Sequence, residues 1–597
     1  DYTCAGIAYT LEGRADGIFT AADGVAVVDE IKTTACPAAD ITPDFAPEHW
    51  AQAIVYAAIY AAQHELEEMR VQLTYFQVDE ELILRFERHY TAQQLQEEVE
   101  ALLAEYAPWA RRAVEWKKAR NSDLQAMQFP FPAYRPGQRA MAGEVYKVCR
   151  DGGQLLCQAP TGIGKSMSVL CPALKSMGNE SVGPIFYLTA RGTTRTAAEN
   201  ALAILRDTEP ELHLRSVTLT AKDKICLCET RECTPEACPY ANGYYARIKG
   251  ALWDMLDVPC LTAETLQEYA KRHTVCPFEL GLDSSLWSDV IIGDYNYLFD
   301  PVVHLVRFFE SAGDYIFLVD EAHNRPGRAR EMHSAALTKT SFYEAKKLLG
   351  KGKSSLKNAL TKVNDVFIEW RHRAEEETAA RDGRFGKTFF LKERSEEFDH
   401  LLNRLCEPLE AWLDDHREPD ETHTALLQLY FDVRAWLRVA DTFDDHFVLQ
   451  ITASGSEVRA AQLCLDPSAF LADSFALGRA AVLFSATLAP ASYYKDLCGV
   501  PEARAVALRS PFPAGNQGLF CIGNVSTRYK DRDASLAIVE ESLATMVRAR
   551  CGNYLAFFPS YAYMEQAYAQ FKEHCPEINC IKQENAMDEQ QKAAFLA

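Results

Sequence analysis

From about residue 155 the chain alternates short apolar runs with helix-length amphipathic segments. The runs at 155–158, 185–188, 290–292, 316–319 and 481–484 carry almost no polar positions. Continuous apolar runs of that length predict strands buried on both faces, so the pattern reads as a parallel sheet with crossover helices. Two long insertions interrupt it. One, 221–277, is rich in cysteine; the other, 331–465, is charged, with Leu401, Leu405, Leu409 and Trp412 at helical spacing. Residues 1 to about 120 have another rhythm. A β-hairpin is predicted over Gly17 to Thr33 around the turn Ala21-Ala-Asp-Gly24, then helices over 47–64 and 92–118. The proline-dense stretch at 128–134 has the composition of a linker. A second α/β unit is expected to begin near Gly518 and to be incomplete at Ala597.

Composition narrows the class. The 597 residues are 48% hydrophobic and 24% charged, which excludes a disordered chain; at roughly 100–200 residues per domain they imply about three to five domains. No apolar run approaches the ~18 residues of a membrane-spanning helix. The chain opens at Asp1 without a signal-peptide pattern and is read as an interior start. A net charge of −22 excludes a uniformly basic surface but not a local basic channel. Eighteen cysteines without a secretory signal point to a reducing cytoplasm.

Ala159-Pro-Thr-Gly-Ile-Gly-Lys-Ser166 follows an apolar run and precedes a helix-compatible segment. Glycines let a backbone wrap a phosphate with its N–H groups, and the helix N-terminus adds a positive dipole. Thr161, Gly162, Gly164, Lys165 and Ser166 are therefore the candidate ATP-binding residues, with Lys165 on the β/γ-phosphates and Ser166 on Mg²⁺. Ala159 stands where the strict motif has glycine. Further on, Asp320-Glu-Ala-His323 ends an apolar run. Asp320 is the candidate Mg²⁺ ligand and Glu321 the residue that polarises the attacking water.

These motifs, with Leu188-Thr-Ala-Arg-Gly-Thr-Thr-Arg195, Tyr295-Asn-Tyr-Leu-Phe-Asp-Pro301 and Phe484-Ser-Ala-Thr-Leu488, resemble the XPD/DinG (Rad3-type) branch of superfamily-two helicases. The resemblance covers about 130–597. It implies an α/β fold of RecA-like parallel-sheet lobes, with lobe one at 134–220, 278–330 and 466–495, an iron–sulfur insertion at 221–277, a helical arch at 331–465, and lobe two starting at 496. It implies a linker at 121–133, adenine contacts by Tyr134, Arg135 and Gln138, and coupling of hydrolysis to DNA movement by Ser485 and Thr487. Gly552 to Tyr561 resembles an early motif of the second lobe, and no Gln-x-x-Gly-Arg-x-x-Arg pattern follows. The expectation is that these 597 residues alone turn over ATP inefficiently.

Cys226, Cys233 and Cys238 are followed by Cys276. Four thiolates suit either a [4Fe–4S] cluster or Zn²⁺, and spacing alone does not choose. The resemblance implies the iron–sulfur cluster, with these four as ligands, Cys228 competing for the first position and Cys260 a bystander. Arg191, Arg195, Lys222, Lys224, Arg231, Arg247 and Lys249 lie among Tyr240, Tyr244 and Tyr245, a mix of cations and aromatic platforms suited to single-stranded nucleic acid.

In the N-terminal segment, Asp16 opens one expected strand, and Glu30 and Lys32 share a face of the next. Asp16 and Glu30 are candidate ligands for one Mg²⁺ or Mn²⁺, with Lys32 orienting or activating a water. Gln52 and Tyr56 follow one helical turn apart. The set resembles the RecB-type branch of PD-(D/E)xK nucleases over residues 1–120. No cysteine occurs from Glu65 to Tyr146, so no cluster is expected there. The combined expectation is a 5′→3′ DNA helicase acting on single-stranded or forked DNA, without a membrane, fused to a metal-dependent nuclease. The competing readings are a DNA-binding clamp whose N-terminal domain does not cut, and a redox-gated sensor.

Overall fold

The computed structural model describes residues 2–178, 182–190, 192–352, 354–380, 387–416, 420–523, 525–526, 528–584, 587, 591 and 595. The chain divides into two compact units, Asp1–Asp123 and Leu124–Ala597.

The first unit is built on a four-stranded sheet in the order Gly17–Thr20, Ala26–Thr34, Glu68–Gln77, Leu82–Thr91. The outer pairs are antiparallel and the middle pair is parallel. A parallel pair needs a crossover, and the helix Pro47–His64 provides it. Proline fits its first turn, where the missing N–H has no intrahelical partner to lose. Trp50, Ala53, Ile54, Ala57, Ala58 and Ala61 make the buried stripe. The helix stops at Glu65, which turns left-handed and returns its amide to the Ala61 carbonyl.

The second unit holds an eight-stranded sheet in the order Cys260–Leu261, Ser216–Thr218, Val290–Asp294, Ile185–Thr189, Ile316–Val319, Ala480–Ser485, Gly153–Gln158, Arg504–Ala507. Every pairing is parallel. Ile185–Thr189, Ile316–Val319 and Ala480–Ser485 are buried at every position, because apolar clusters cover both faces of the sheet. The five expected strands are all present, each within about two residues of its expected ends.

Several expected boundaries move. Residues 121–126 are the end of the helix Ala92–Ala126, and Leu124 and Met127 are buried in the second unit's core, so the linker expected at 121–133 starts later. Lobe two does not start at 496: Arg504–Ala507 pairs with the phosphate-loop strand and extends the first sheet. The 221–277 insertion contributes an edge strand, Cys260–Leu261. The 331–465 insertion is more than helical. Its helices Lys339–Leu348, Ser355–Ala380, Glu396–Asp415 and Glu421–Asp441 share a core with an antiparallel sheet. That sheet runs Ala335–Thr338, Glu457–Cys464, Phe447–Ser454, Thr388–Leu391. Phe447, Leu449, Ile451 and Ala453 alternate inward, a period-two signal that the flanking helical spacing masks. From Gly518 onward the described residues form the helices Arg532–Ala549 and Tyr561–His574, packed through Ala544, Phe571 and Cys575.

Candidate nucleotide site and a second carboxylate site

Three adjacent parallel strands of the large sheet deliver the phosphate-loop residues, Ser485 and the Asp320–Glu321 pair to one edge. That edge is the carboxyl end of the strands, where open parallel sheets bind ligands. Gly162 and Gly164 have φ of +85° and +81°, a backbone region cheap only for glycine. Gly164 caps the helix Lys165–Met177, whose first residues are Lys165 and Ser166.

Lys165 Nζ lies 3.6 Å from Glu321 Oε1. Tyr187, fully buried, donates its hydroxyl to Asp320 Oδ2 at 2.7 Å and stands 3.4 Å from Ser166 Oγ. The Glu321 amide donates to Asp320 Oδ1 at 2.8 Å, and Tyr295 donates to the Asp320 carbonyl. Ser485 Oγ donates to Glu321 Oε2 at 3.2 Å and is 2.7 Å from His323 Nδ1. Burial pushes the Asp320 carboxyl above the ordinary carboxylate range, although Tyr187 and the Glu321 amide hold it down. The Tyr187 phenol is pushed well up by burial and by Asp320 beside it, so it stays a donor. Glu321 adopts φ of +47°, a strained conformation for a non-glycine residue.

A cleft of about 350 Å³ opens beside Lys165 and Ser166. Phe131, Arg135, Gln138, Asn200 and Ile204 line it. Buried Gln138 accepts from the Arg135 amide at 3.0 Å, and Arg135 donates to the Gly162 carbonyl. Tyr134 stacks on Phe129 with ring centroids 4.0 Å apart. Thr161 is exposed at the loop. The residues fit a nucleoside triphosphate with Mg²⁺: a lysine, a hydroxyl and a buried carboxylate converge where phosphates and a cation need them. Sequence reasoning missed Tyr187. Its signal was a lone phenol in a fully apolar strand, since a buried tyrosine hydroxyl needs a partner.

In the first unit the structure brings together Glu30, Lys32, Gln52 and Tyr56. Lys32 Nζ donates to Glu30 Oε1 at 2.7 Å and to Gln52 Oε1 at 3.0 Å; Gln52 Nε2 donates to Tyr56 Oη at 3.0 Å. Asp16 Oδ2 accepts from the Ile31 amide at 2.9 Å, beside Glu30 in the chain. Glu30 is 2% exposed, and its Oε2 has no hydrogen-bond partner among the described residues. A buried carboxylate oxygen without a donor fits a cation. His49 on the same helix was not foreseen. Its ring stands 2.9 Å from Tyr75 Oη, and burial first, then Lys32, keeps it below the usual histidine range.

The cysteine segment is less ordered as a site. Cys228 Sγ is 3.8 Å from Cys238 Sγ. Burial, then Cys238 and Cys226 beside it, pushes the Cys228 thiol up to about 11. Cys233 points to the Arg231 carbonyl, and burial raises the Cys276 thiol. Among the described residues no group of three or more His, Cys, Asp or Glu side chains converges in a metal-holding arrangement. Cys260 lies in the edge strand Cys260–Leu261. Two expected nucleic-acid contacts are corrected. Tyr244 is buried and donates to Asp283 at 2.7 Å, and Arg247 is tied to the Thr274, Asn242 and Pro239 carbonyls. Arg195 stands 3.7 Å from Asp294. Tyr245 is 88% exposed, and Arg191 lies outside the described residues. No helix among the described residues is long and apolar enough to cross a membrane.

Residues 209–342 match the DEAD_2 family model. The chain is similar to the Regulator of telomere elongation helicase 1 homolog of Drosophila yakuba, 23% identical over 33% of this chain and 25% of that protein. It is also similar to the General transcription and DNA repair factor IIH helicase subunit XPD/RAD3 of Saccharomyces cerevisiae, 22% identical over 74% of this chain and 70% of that protein. A solved XPD helicase structure is 17% identical, with a TM-score of 0.45, covering 78% of this chain and 79% of that one. The chain thus spans about a quarter of the first of these relatives. Residues 209–342 are thus similar to the DEAD_2 family, and the chain is similar, at 22–23% identity, to helicases named for telomere elongation and for XPD/RAD3.

Proposed function

We propose that the chain is an ATP-dependent DNA helicase or translocase, of 5′→3′ polarity, acting on single-stranded or forked DNA, with a metal-dependent nuclease site in its first unit. The observation that carries the reading is the junction of Lys165, Ser166, Asp320 and Glu321, spanned by Tyr187 and an ion pair at 2.7–3.6 Å. When bound, Mg²⁺ neutralises charge that builds on the transferring phosphoryl group. Ser166 and Asp320 hold it, Lys165 meets the β/γ-phosphates, and Glu321 orients the attacking water. Gln138, with Arg135 and Tyr134, faces the base. Ser485 and His323, hydrogen-bonded at the back of Glu321, link the state of the γ-phosphate to neighbouring segments, with the Thr487 amide 3.5 Å from Ser485 Oγ. The polarity rests on the family resemblance.

In the first unit, Asp16 and Glu30 hold Mg²⁺ or Mn²⁺, which supplies charge neutralisation at a scissile phosphate. Lys32, held by Glu30 and Gln52, orients the attacking water. The orphan Glu30 oxygen supports this reading over a clamp that binds without cutting. In the cysteine segment, Cys233, Cys238 and Cys276, with Cys226 or Cys228, have the donor chemistry of a [4Fe–4S] site. Anaerobically purified protein then carries iron and acid-labile sulfide; stoichiometric zinc without iron refutes the assignment. The main test is unwinding of forked duplexes with 5′ or 3′ tails, with and without ATP. What ATP-dependent unwinding occurs is expected from a 5′ tail, not a 3′ one. A protein that neither binds ATP nor moves on DNA sinks the proposal.

A further inference from the structure

The chain carries a net charge of −22, yet residues 339–362 hold seven lysines and one carboxylate, Glu344. Lys353, one of the seven, lies outside the described residues. The helix Lys339–Leu348 buries Phe342 and Ala345 in the core it shares with the antiparallel sheet. Its other face carries Lys339, Tyr343, Lys346 and Lys347, spaced i, i+4, i+7 and i+8, which is one stripe of a helix. A turn with Gly350 and Gly352 at φ of +71° and +136° presents Lys351 and leads into the helix Ser355–Ala380, which adds Lys357 and Lys362.

Two of these lysines bond to backbone carbonyls and four are in no ion pair among the described residues. Lys339 donates to the Ser456 carbonyl, and Lys357 to the Gly350 and Gly352 carbonyls, so neither is neutralised. Among the described residues no ion pair within 4.0 Å involves Lys346, Lys347, Lys351 or Lys362. Tyr343 is 60% exposed in their midst. Elsewhere Arg195 stands 3.7 Å from the Asp294 carboxylate, so its charge is paired within the fold. An unpaired cationic stripe with an exposed aromatic ring matches the backbone and base of a single strand. A surplus of positive charge held apart on an acidic protein attracts polyanions locally.

We propose that this lysine face, residues 339–362, is a track for the phosphate backbone of single-stranded DNA, with Tyr343 as a stacking platform for one base. The inference rests on the DNA-acting reading above and names a surface for it. The experiment measures binding of a labelled oligothymidylate, without nucleotide, across a salt series. Three variants are compared with the wild type: Lys346, Lys347, Lys351 and Lys362 all to Gln, the same four to Arg, and Tyr343→Ala. The Gln variant is expected to bind about 10- to 100-fold more weakly at low salt, with a log–log salt slope shallower by about 0.7 for each phosphate it no longer neutralises. The Arg variant keeps wild-type affinity and slope. Tyr343→Ala loses about fivefold or more with the slope unchanged. Wild-type affinity and slope in the Gln variant overturn the track while leaving the helicase reading intact. A wild type that binds no single strand overturns both. Loss of polyglutamate binding in the Gln variant, with DNA binding unchanged, overturns the track in favour of an acidic protein partner.

Discussion

Two acidic pairs, Asp320 with Glu321 and Asp16 with Glu30, each stand beside a strand and near a lysine, and they are finished differently. At the first, all four carboxylate oxygens have partners: Tyr187 and the Glu321 amide on Asp320, Lys165 and Ser485 on Glu321. At the second, Lys32 takes one oxygen of Glu30 and the other is buried alone. Leaving a buried acceptor unpaired costs about 1–3 kcal/mol. The first site is therefore compensated by its own side chains, whereas the second leaves a buried acceptor that, under the function proposed above, a cation would complete. Both devices position a carboxylate. The first does so with a partner on every oxygen, the second through Lys32 on one oxygen of Glu30 while the other stays a free acceptor.

The sharpest way to break the comparison is Lys165→Ala. Removing the cation that meets the transferring phosphate is expected to lower ATP turnover by about 10²–10³-fold or more, while metal-dependent cutting of single strands persists. Loss of ATP-independent cutting in that variant shows that the two sites are not autonomous. Glu30→Gln is the mirror experiment. It keeps the shape but removes the ligand charge, so cutting falls by about 10²-fold and ATP turnover is retained; a variant that still cuts at the wild-type rate removes Glu30 from the metal site.

Tyr187→Phe acts on the compensated site alone. It deletes a donor to an ionised carboxylate, worth about 1.5–3 kcal/mol, so Mg²⁺ affinity is expected to fall about tenfold or more. Burial raises the Asp320 carboxyl and Tyr187 opposes the rise. Mg²⁺ affinity therefore drops as pH falls through a value above the usual carboxylate range, and in the Phe variant that acid limb moves to higher pH. A pH titration of Mg²⁺ binding reads the shift, and an unmoved limb rules out the role given to Tyr187. The smallest expected effect is Gly13→Ala. A Cβ there would clash with Tyr56 Cε1, so the ring must move and loosen its bond to Gln52 and, through it, Lys32. Overpacking of this kind costs about 1–3 kcal/mol. Cutting is expected to fall several-fold with Tm lowered, and ATP turnover provides the unaffected reference.

The short apolar runs near 155, 185, 290, 316 and 481 were sufficient to foresee five strands of the large sheet, because strands covered on both faces admit no polar positions. The glycines and lysine of 159–166 and the Asp320–Glu321 pair were legible because their chemistry needs those residue types at fixed spacing in the chain. Glu30 and Lys32 were legible for the same reason, since a strand's period of two places them on one face. The weaker strands Ser216–Thr218, Cys260–Leu261 and Arg504–Ala507 were not. They are two to four residues long, and only pairing with neighbours distant in the chain makes them strands. The four-stranded sheet within 331–465 was hidden by the helical spacing around it.

By itself, then, the sequence determined the elements whose burial is continuous and the motifs whose spacing is local. Tertiary structure decided the rest. It set Tyr187 against Asp320, 133 positions away in the chain, and His323 against Ser485, 162 positions away. It left the Glu30 oxygen unpaired, turned Tyr244 inward, and left Lys346, Lys347, Lys351 and Lys362 without an ion pair among the described residues. The physical reason is common to all of these. Whether a polar group has a partner depends on what the fold brings within about 3 Å of it, and for groups far apart in the chain that distance is a property of packing.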